Sequence, residues 1–220
     1  MTKTGEAAQP PMELDDHADN LVEWLKANQR QASLIGIAVV VIVAGGMLWR
    51  SSSDKKELNA GRSLAEAQRS FSAGNLALAQ SDLQKLVQRY DGTVASDQGR
   101  LLLAQVYYDE GKVAEGLKAL DGMNASGPFK ASLHGIRAAG LEQSGKSAEA
   151  GAEYLKAADA SVTDSDKGQY RSDAARALNL AGKKDEALKI WREMAADENS
   201  PFGAEAKLRI GELTAVPAKG

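Results

Sequence analysis

The chain has 220 residues, of which 43% are hydrophobic, 26% are charged and none is cysteine. Its formal net charge of −3 gives it no electrostatic preference for phosphate groups, so nucleic acid is not expected as a partner. Without cysteine, the sequence excludes disulfides, thiolate nucleophiles and cysteine-ligated metal sites.

Residues 1–30 form an acidic tail with three Lys or Arg residues against six Asp or Glu residues. Its first half, with Pro10 and Pro11 among acidic and small residues, is typical of disorder. Its second half places Leu21, Trp24 and Leu25 on one helical face. We therefore expect an amphipathic segment that lies on a membrane surface, with a disordered tail as the alternative.

Residues 31–49 read QASLIGIAVVVIVAGGMLW and contain no charge. As a helix they measure about 28 Å, close to the roughly 30 Å of bilayer hydrocarbon. A buried core helix is the alternative, but the central run has no polar face for solvent. A cleavable signal peptide fits poorly, because an acidic stretch precedes the run and no small-residue cleavage site follows it. The sequence predicts a transmembrane helix whose interfacial residues are Trp24, Arg30, Trp49 and Arg50.

The flanking charges leave the orientation of this span open. Lys26 and Arg30 precede it, whereas more cations follow it: Arg50, Lys55, Lys56, Arg62 and Arg69. The positive-inside rule would keep the C-terminal part in the cytoplasm, but a domain of about 170 residues can be translocated regardless of such charges.

Beyond a predicted polar linker at 50–56, residues 57–214 are rich in good helix formers, which predicts an all-α domain. Glycines recur there at spacings of 37, 34 and 37 residues: Gly74, Gly111, Gly145 and Gly182. An alanine stands seven positions before each glycine: Ala67, Ala104, Ala138 and Ala175. A small residue follows five positions after each glycine: Ala79, Gly116, Ala150 and Ala187.

This period predicts about four pairs of antiparallel helices. The glycine ends the first helix in a left-handed conformation, and the small residues let the two helices approach closely. A large apolar residue nine positions after each glycine is expected to pack between helices: Leu83, Leu120, Tyr154 and Trp191. A terminal helix, AEAKLRIGEL, places Gly211 36 residues after Ala175, and residues 215–220 form a short tail.

The small, glycine, small and bulky residues in this order resemble the tetratricopeptide repeat family, whose units are helix-turn-helix pairs. The resemblance covers roughly residues 57–214 and implies an α-solenoid. With the stretch VEWLKANQRQASLIGIAVVVIVAGGMLWR before the repeats, the whole architecture is similar to the bacterial family of ancillary Sec translocon subunits. That family has one inner-membrane span and a periplasmic repeat domain.

The sequence carries no pattern that indicates catalysis. His17 and His134 lie in different segments, and the pairs Asp15–Asp16 and Asp164–Asp166 fall in tail and loop stretches. No nucleophile elbow, zinc-protease motif or phosphate-binding loop is present. We therefore expect no enzyme activity, no cofactor, no metal and no small-molecule substrate.

The resemblance implies that the first helices of the repeats line a groove for an extended peptide or a partner helix. In this sequence the predicted lining is Leu64, Gln68, Phe71, Leu101, Gln105, Tyr108, Asp109 and Arg176. Core packing is the alternative for Leu64 and Leu101. Some family members bind a C-terminal carboxylate through Lys and Asn, but Leu and Gln hold those positions here, so no carboxylate clamp is predicted.

These observations predict a single-pass protein of the bacterial inner membrane, with a cytoplasmic N-terminus and a periplasmic repeat domain. Its expected partners are translocon subunits, chaperones or exported proteins, together with the lipid bilayer through one span. The alternatives are a scaffold in outer-membrane assembly or cell division, and a membrane-tethered scaffold that faces the cytoplasm.

Overall fold

The structure, a computed structural model, describes residues 52–123, 129–197 and 200–215. The chain divides into two units, Met1–Asp54 and Lys55–Gly220. Apart from the first three residues of α1, the described part belongs to the second unit and contains nine helices. They are α1 (52–72), α2 (Leu76–Arg89), α3 (Val94–Asp109), α4 (Val113–Ala119), α5 (Phe129–Gln143), α6 (Ser147–Ala160), α7 (Asp164–Leu180), α8 (Lys184–Ala196) and α9 (Gly203–Thr214).

The predicted membrane segments lie outside the described residues. These are the acidic tail, the span at 31–49 and the interfacial residues Trp24, Arg30, Trp49 and Arg50. Among the helices that the structure does describe, none combines the length and apolar character needed to cross a bilayer.

Of the predicted polar linker at 50–56, residues 52–56 are helical and belong to α1. Tertiary hydrogen bonds hold the second turn of α1. Lys56 Nζ donates to the carbonyl of Asp91 at 2.7 Å. The Glu57 carboxylate accepts the backbone N–H groups of Val94 and Ala95 at 3.0 and 2.9 Å, which caps α3. The serine-rich sequence gives no sign of these distant partners.

Each of the four periodic glycines ends a first helix in the left-handed conformation, with φ between +73° and +78°. The Gly145 N–H donates to the Glu142 carbonyl and the Lys146 N–H donates to the Leu141 carbonyl, both at 2.9 Å. This pair of bonds satisfies the carbonyl groups that a helix leaves open at its C-terminus. The same pair recurs at the other three glycines, so one turn geometry is repeated along the chain.

The alanines seven positions before these glycines are fully buried, as are Ala79, Ala150 and Ala187. At the equivalent position of the second repeat stands Gly116, where an added Cβ would clash with the ring of Tyr108. The helices of each pair therefore approach so closely that only the smallest side chains fit between them.

The core is continuous along the described array. Leu83, Leu120, Tyr154 and Trp191 are 0 to 7% exposed and anchor it in successive repeats. The buried residues form three apolar clusters: the first contains Leu83, the second Leu120 and the third Trp191. Ala119 packs against the first and second clusters, and Leu117 packs against the second and third. The predicted all-α solenoid of helix pairs is confirmed.

The second repeat departs from the regular pattern. Its second helix, α4, has seven residues and ends at Ala119. The Asp121–Gly122 pair follows, with Gly122 at φ +72°, and this turn chemistry stops the helix early. Periodicity alone predicts a second helix of ordinary length here.

The terminal helix is present as α9, but Gly211 does not share the environment of Ala175. Ala175 is fully buried, whereas Gly211 is exposed, and a Cβ there would meet no atom within 4 Å. Ala206 is the buried small residue of α9. Gly211 stays exposed because α9 is the last helix among the described residues, so no further helix covers that face.

Replacing Gly145 by Ala tests the turn geometry. A side chain at φ +75° is strained, so Gly145→Ala should lower the free energy of unfolding by about 1–2 kcal/mol. Urea unfolding followed by circular dichroism measures this change.

Gly211→Ala is the matched control, because it adds the same methyl group to an exposed helical position with free space. Alanine is favoured over glycine in a helix, so this variant should be more stable by up to about 1 kcal/mol. Equal effects at the two positions would contradict the assigned turn.

Candidate functional site

The first helices of the four repeats leave the same positions open to solvent. The positions that lie 13, 9, 6 and 2 residues before each periodic glycine are exposed or half-buried in every repeat. The positions that lie 10 and 7 residues before each periodic glycine are buried in every repeat. We call the open set the groove stripe. Its members are Gly61, Ala65, Gln68 and Ser72 on α1, Gln98, Leu102, Gln105 and Asp109 on α3, Ser132, Ile136, Ala139 and Gln143 on α5, and Gln169, Asp173, Arg176 and Leu180 on α7.

The structure divides the predicted groove residues into two sets. Gln68, Gln105, Asp109 and Arg176 belong to the groove stripe. Leu64, Leu101 and Tyr108 do not, because they are only 6, 8 and 4% exposed. Phe71 is half-buried and packs against the first apolar cluster.

The correction for Leu64 and Leu101 has a simple cause. They lie 10 positions before their glycines, one residue from the open position at 9, and one residue rotates a helix by about 100°. Both therefore point into the core, which is the packing alternative for these leucines. In the other two repeats the same buried position holds Gly135 and Ser172.

Tyr108 is buried because two glycines make room for its ring. A Cβ at Gly116 or at Gly140 would clash with this tyrosine. Its hydroxyl makes no hydrogen bond to any described residue. Burial raises the pKa of Tyr108 to about 12, so the phenol stays neutral and acts as a packing group.

The groove stripe is rich in amides and small residues. It contains five glutamines and three large aliphatic residues, and only three of its side chains are charged. Gln105 Nε2 donates to the Asp109 carboxylate at 2.9 Å, and Arg176 Nη2 donates to the Asp173 carboxylate at 3.3 Å. Each charge thus has a partner within the stripe, and the surface has little net charge to select a charged ligand.

Sequence reasoning missed the apolar part of this surface. Leu102 and Ile136 lie nine positions before their glycines and are half-buried at the centre of the stripe. They are recognised as surface residues because the positions ten residues before the glycines are buried in all four repeats, and the structure shows this burial. In sequence, leucine at 101 and leucine at 102 look equally suited to either role.

Arg176 also joins the third repeat to the fourth. Its guanidinium pairs with the Glu142 carboxylate of α5, with Nη2 at 3.2 Å from Oε2. Tyr154 of α6 donates to the same carboxylate at 3.1 Å, and its ring stacks on Tyr170 of α7. The hydrogen bonds that Arg176 donates to Glu142 raise the pKa of Arg176 further above its ordinary value, so the guanidinium is permanently charged.

His134 lies between helices. Its Nδ1 is 2.7 Å from the Glu153 carboxylate of α6, and Lys156 Nζ is 2.6 Å from the same group. Burial pushes the pKa of Glu153 upward, but the hydrogen bonds from Lys156 and His134 outweigh it and hold the pKa below its ordinary value. His17 lies outside the described residues.

The described ranges contain no candidate metal site. Within 52–123, 129–197 and 200–215, no group of three His, Asp or Glu side chains could hold a metal ion. Asp164 and Asp166 lie in the first turn of α7, where Asp166 N–H donates to the Thr163 hydroxyl in a helix cap.

The sequence profile of the tetratricopeptide repeat-like domain family matches residues 60–174. This chain belongs to that family. The match runs from α1 into α7 and therefore includes three of the four glycine turns, six of the eight small contact residues and most of the groove stripe. Tetratricopeptide repeat-like domains are protein–protein interaction modules and are typically non-catalytic scaffolds, so protein partners in general are the expected ligands.

Solved structures agree with this fold. The chain is similar to the nearly identical TPR-like repeats of a Podosopora anserina protein described as a kinesin light chain. The TM-score is 0.57 at 15% identity over 69% of this chain and 83% of that chain. A variant of the same protein matches with the same score and coverage at 16% identity. At this identity the likeness shows the fold alone. No curated protein matches the chain.

The ion pair between Arg176 and Glu142 can be tested by a double-mutant cycle. Arg176 is half-exposed, so solvent screens the pair and its coupling should be about 0.5 kcal/mol. The variants are Arg176→Met, Glu142→Gln and their combination, and the measurement is the free energy of unfolding in urea. Strictly additive effects would show that the pair does not hold the two repeats together.

Glu153 should make the stability of the tetratricopeptide repeat domain depend on pH. Because its pKa is lower when folded, its contribution is complete above the ordinary value of 4.5 and is lost as the pH falls through the lower folded value. Glu153→Gln should therefore flatten the loss of unfolding free energy in this acidic window. A variant with an unchanged pH profile would contradict the assigned shift.

Proposed function

We propose that this chain is a membrane-anchored interaction module of the bacterial inner membrane, whose repeat domain binds newly exported proteins or their chaperones beside the Sec translocon. The groove stripe is the observation that carries the binding half of this proposal. The apolar segment at 31–49 supports the anchor, and the likeness to ancillary translocon subunits supports the cellular role.

The chemistry of the groove stripe favours an extended, largely uncharged polypeptide. Its glutamine side chains offer both donors and acceptors, which is what the backbone of an unfolded segment requires. Leu102 and Ile136 supply an apolar centre between them. Such a surface gives weak contacts to many sequences instead of tight contacts to one charged motif.

The same composition argues for contacts that salt does not weaken. Electrostatic association loses affinity as ionic strength rises, because mobile ions screen the charges. The charges in the stripe, on Asp109, Asp173 and Arg176, already have partners within it. Binding of an unfolded, neutral polypeptide should therefore change little between low and high salt.

One observation favours a second candidate, a scaffold that faces the cytoplasm. Five Lys or Arg residues follow the predicted span within 20 residues and only two precede it, which by count favours a cytoplasmic C-terminus. A reporter that is active only outside the cytoplasm, fused after Gly220, separates the two. Activity supports the periplasmic proposal, whereas an inactive but intact fusion would replace it with the cytoplasmic scaffold.

The role of the groove stripe is tested by adding charge and bulk to it. Gln68→Arg combined with Gln143→Arg changes exposed side chains on α1 and α5 without touching the core. Two cations that face a neutral extended segment should weaken its binding by about tenfold, because the backbone amides lose their partners and the surface gains unpaired charge. Fluorescence anisotropy with a labelled, permanently unfolded polypeptide measures the affinity.

The control variant, Gln88→Arg with Ala152→Arg, adds the same charge to exposed positions on the second helices α2 and α6. It should bind like the unmodified chain. Equal weakening by both variants would mean that the groove stripe is not the binding surface.

The placement beside the translocon is tested by photocrosslinking in intact membranes. A photoreactive amino acid at Gln105 should form adducts with exported proteins, chaperones or translocon subunits, whereas the same group at Gln88 should form few. If neither position recovers a component of the export machinery, the translocon role is wrong even where the peptide-binding result holds.

A further inference from the structure

A cleft of about 470 Å³ lies among the helices α6, α7 and α8, away from the groove stripe. Its floor is apolar. Ala158, Leu178 and Ile190 are buried beneath it, and Leu155 is half-buried at its side. Gly151 of α6 packs closely against Leu178, since an added Cβ would come within 2.8 Å of that leucine. The volume falls within the roughly 300–1,000 Å³ that is usual for small-molecule sites.

Three cations and three anions surround this floor, and they do not all pair with one another. The rim cations are Lys167, Arg171 and Lys189, and the rim anions are Asp159, Glu186 and Glu193. Arg171 pairs with Glu193, and Glu186 pairs with Lys183 outside the cleft. Among the described residues this leaves Lys167 and Lys189 without an ion pair, against Asp159 alone. The rim therefore has an excess of positive charge available to a ligand.

The first junction of the array shares three of the six charged rim positions and has a different floor. Ser96, Gln88 and Gly122 stand there at the positions of Lys167, Asp159 and Glu193. Counted from the glycine of each repeat, Arg100, Glu115 and Lys118 occupy the positions of Arg171, Glu186 and Lys189. In place of Leu178 and Leu155, however, that junction has Tyr107 and Gln84. The Gln84 Nε2 donates to the Tyr107 hydroxyl at 2.7 Å, so a polar bridge links α2 and α3 there.

We propose that the cleft binds a small amphipathic carboxylate. Its alkyl part covers the floor formed by Leu155, Leu178 and Ile190, and its carboxylate lies between Lys167 and Lys189. Apolar burial favours the alkyl part, and the ammonium groups provide charge-assisted hydrogen bonds to the carboxylate. This ligand class is distinct from the protein partners of the groove stripe, and it is a bound ligand and not a substrate.

Photolabelling of the full chain in lipid nanodiscs tests the site. The probe is decanoate with a diazirine on its chain, and peptide mass spectrometry locates the label. The expected result is saturable labelling of segments that contain Leu155, Leu178 or Ile190, competed by unlabelled decanoate and not by decanol. Labelling elsewhere, or equal competition by decanol, would overturn the proposal.

Charge reversal on the rim separates this site from nonspecific uptake. Lys167→Glu with Lys189→Glu changes exposed side chains that make no ion pair with described residues, and should reduce labelling by about tenfold. Lys118→Glu, at the equivalent position of the first junction, should leave labelling unchanged. If the double variant labels like the unmodified chain, the carboxylate site is wrong.

A second pair of substitutions keeps the test independent of charge. Leu178→Tyr with Leu155→Gln copies the floor of the first junction into the cleft. With a circular dichroism spectrum and melting temperature that show a folded chain, this variant should lose the label while it keeps binding to unfolded polypeptide. A folded variant that still labels in the cleft would overturn the role of the apolar floor.

Discussion

Close approach of the two helices within each repeat is the constraint on which the described array depends. It requires a near-absent side chain on each helix where they cross, and every repeat meets that requirement with alanine or glycine. It also requires the chain to reverse within two or three residues, which a glycine in the left-handed conformation allows. Because the crossing points are fixed, the large residues that follow at Leu83, Leu120, Tyr154 and Trp191 all reach the same layer of the core.

That constraint also explains how much of the fold the sequence reveals. Glycines and alanines at a fixed spacing have few uses other than a repeated turn and a repeated crossing, so the helix pairs can be predicted from them. The exceptions depend on partners that are distant in sequence or on local turns. The second turn of α1 is held by Asp91 and by the start of α3. The short α4 follows from a local Asp–Gly turn that overrides the period.

The candidate groove is harder to predict than the fold, because a rotation of one residue separates core from surface. Gln68, Gln105, Asp109 and Arg176 lie at solvent-open positions, which is where their polar side chains are expected because such groups are costly to bury. Their role in binding stays a prediction. Leu64 and Leu101 differ from Leu102 in helical phase. They lie three residues before the buried Ala67 and Ala104 and share the face of those alanines, whereas Leu102 lies two residues before Ala104 on a different face. Tyr108 needs two glycines from other helices before its burial can be understood.

The short α4 makes the layer of second helices uneven in length along the array. A seven-residue helix is about 10 Å long, roughly half the length of its counterparts α2, α6 and α8. Fewer side chains therefore cross from the second repeat to the third than across the other junctions. On the opposite face, the groove stripe runs unbroken over α3 and α5 at that place. The layer of second helices is consequently shortest at the middle of the array, where the first helices α3 and α5 carry the groove stripe across the junction.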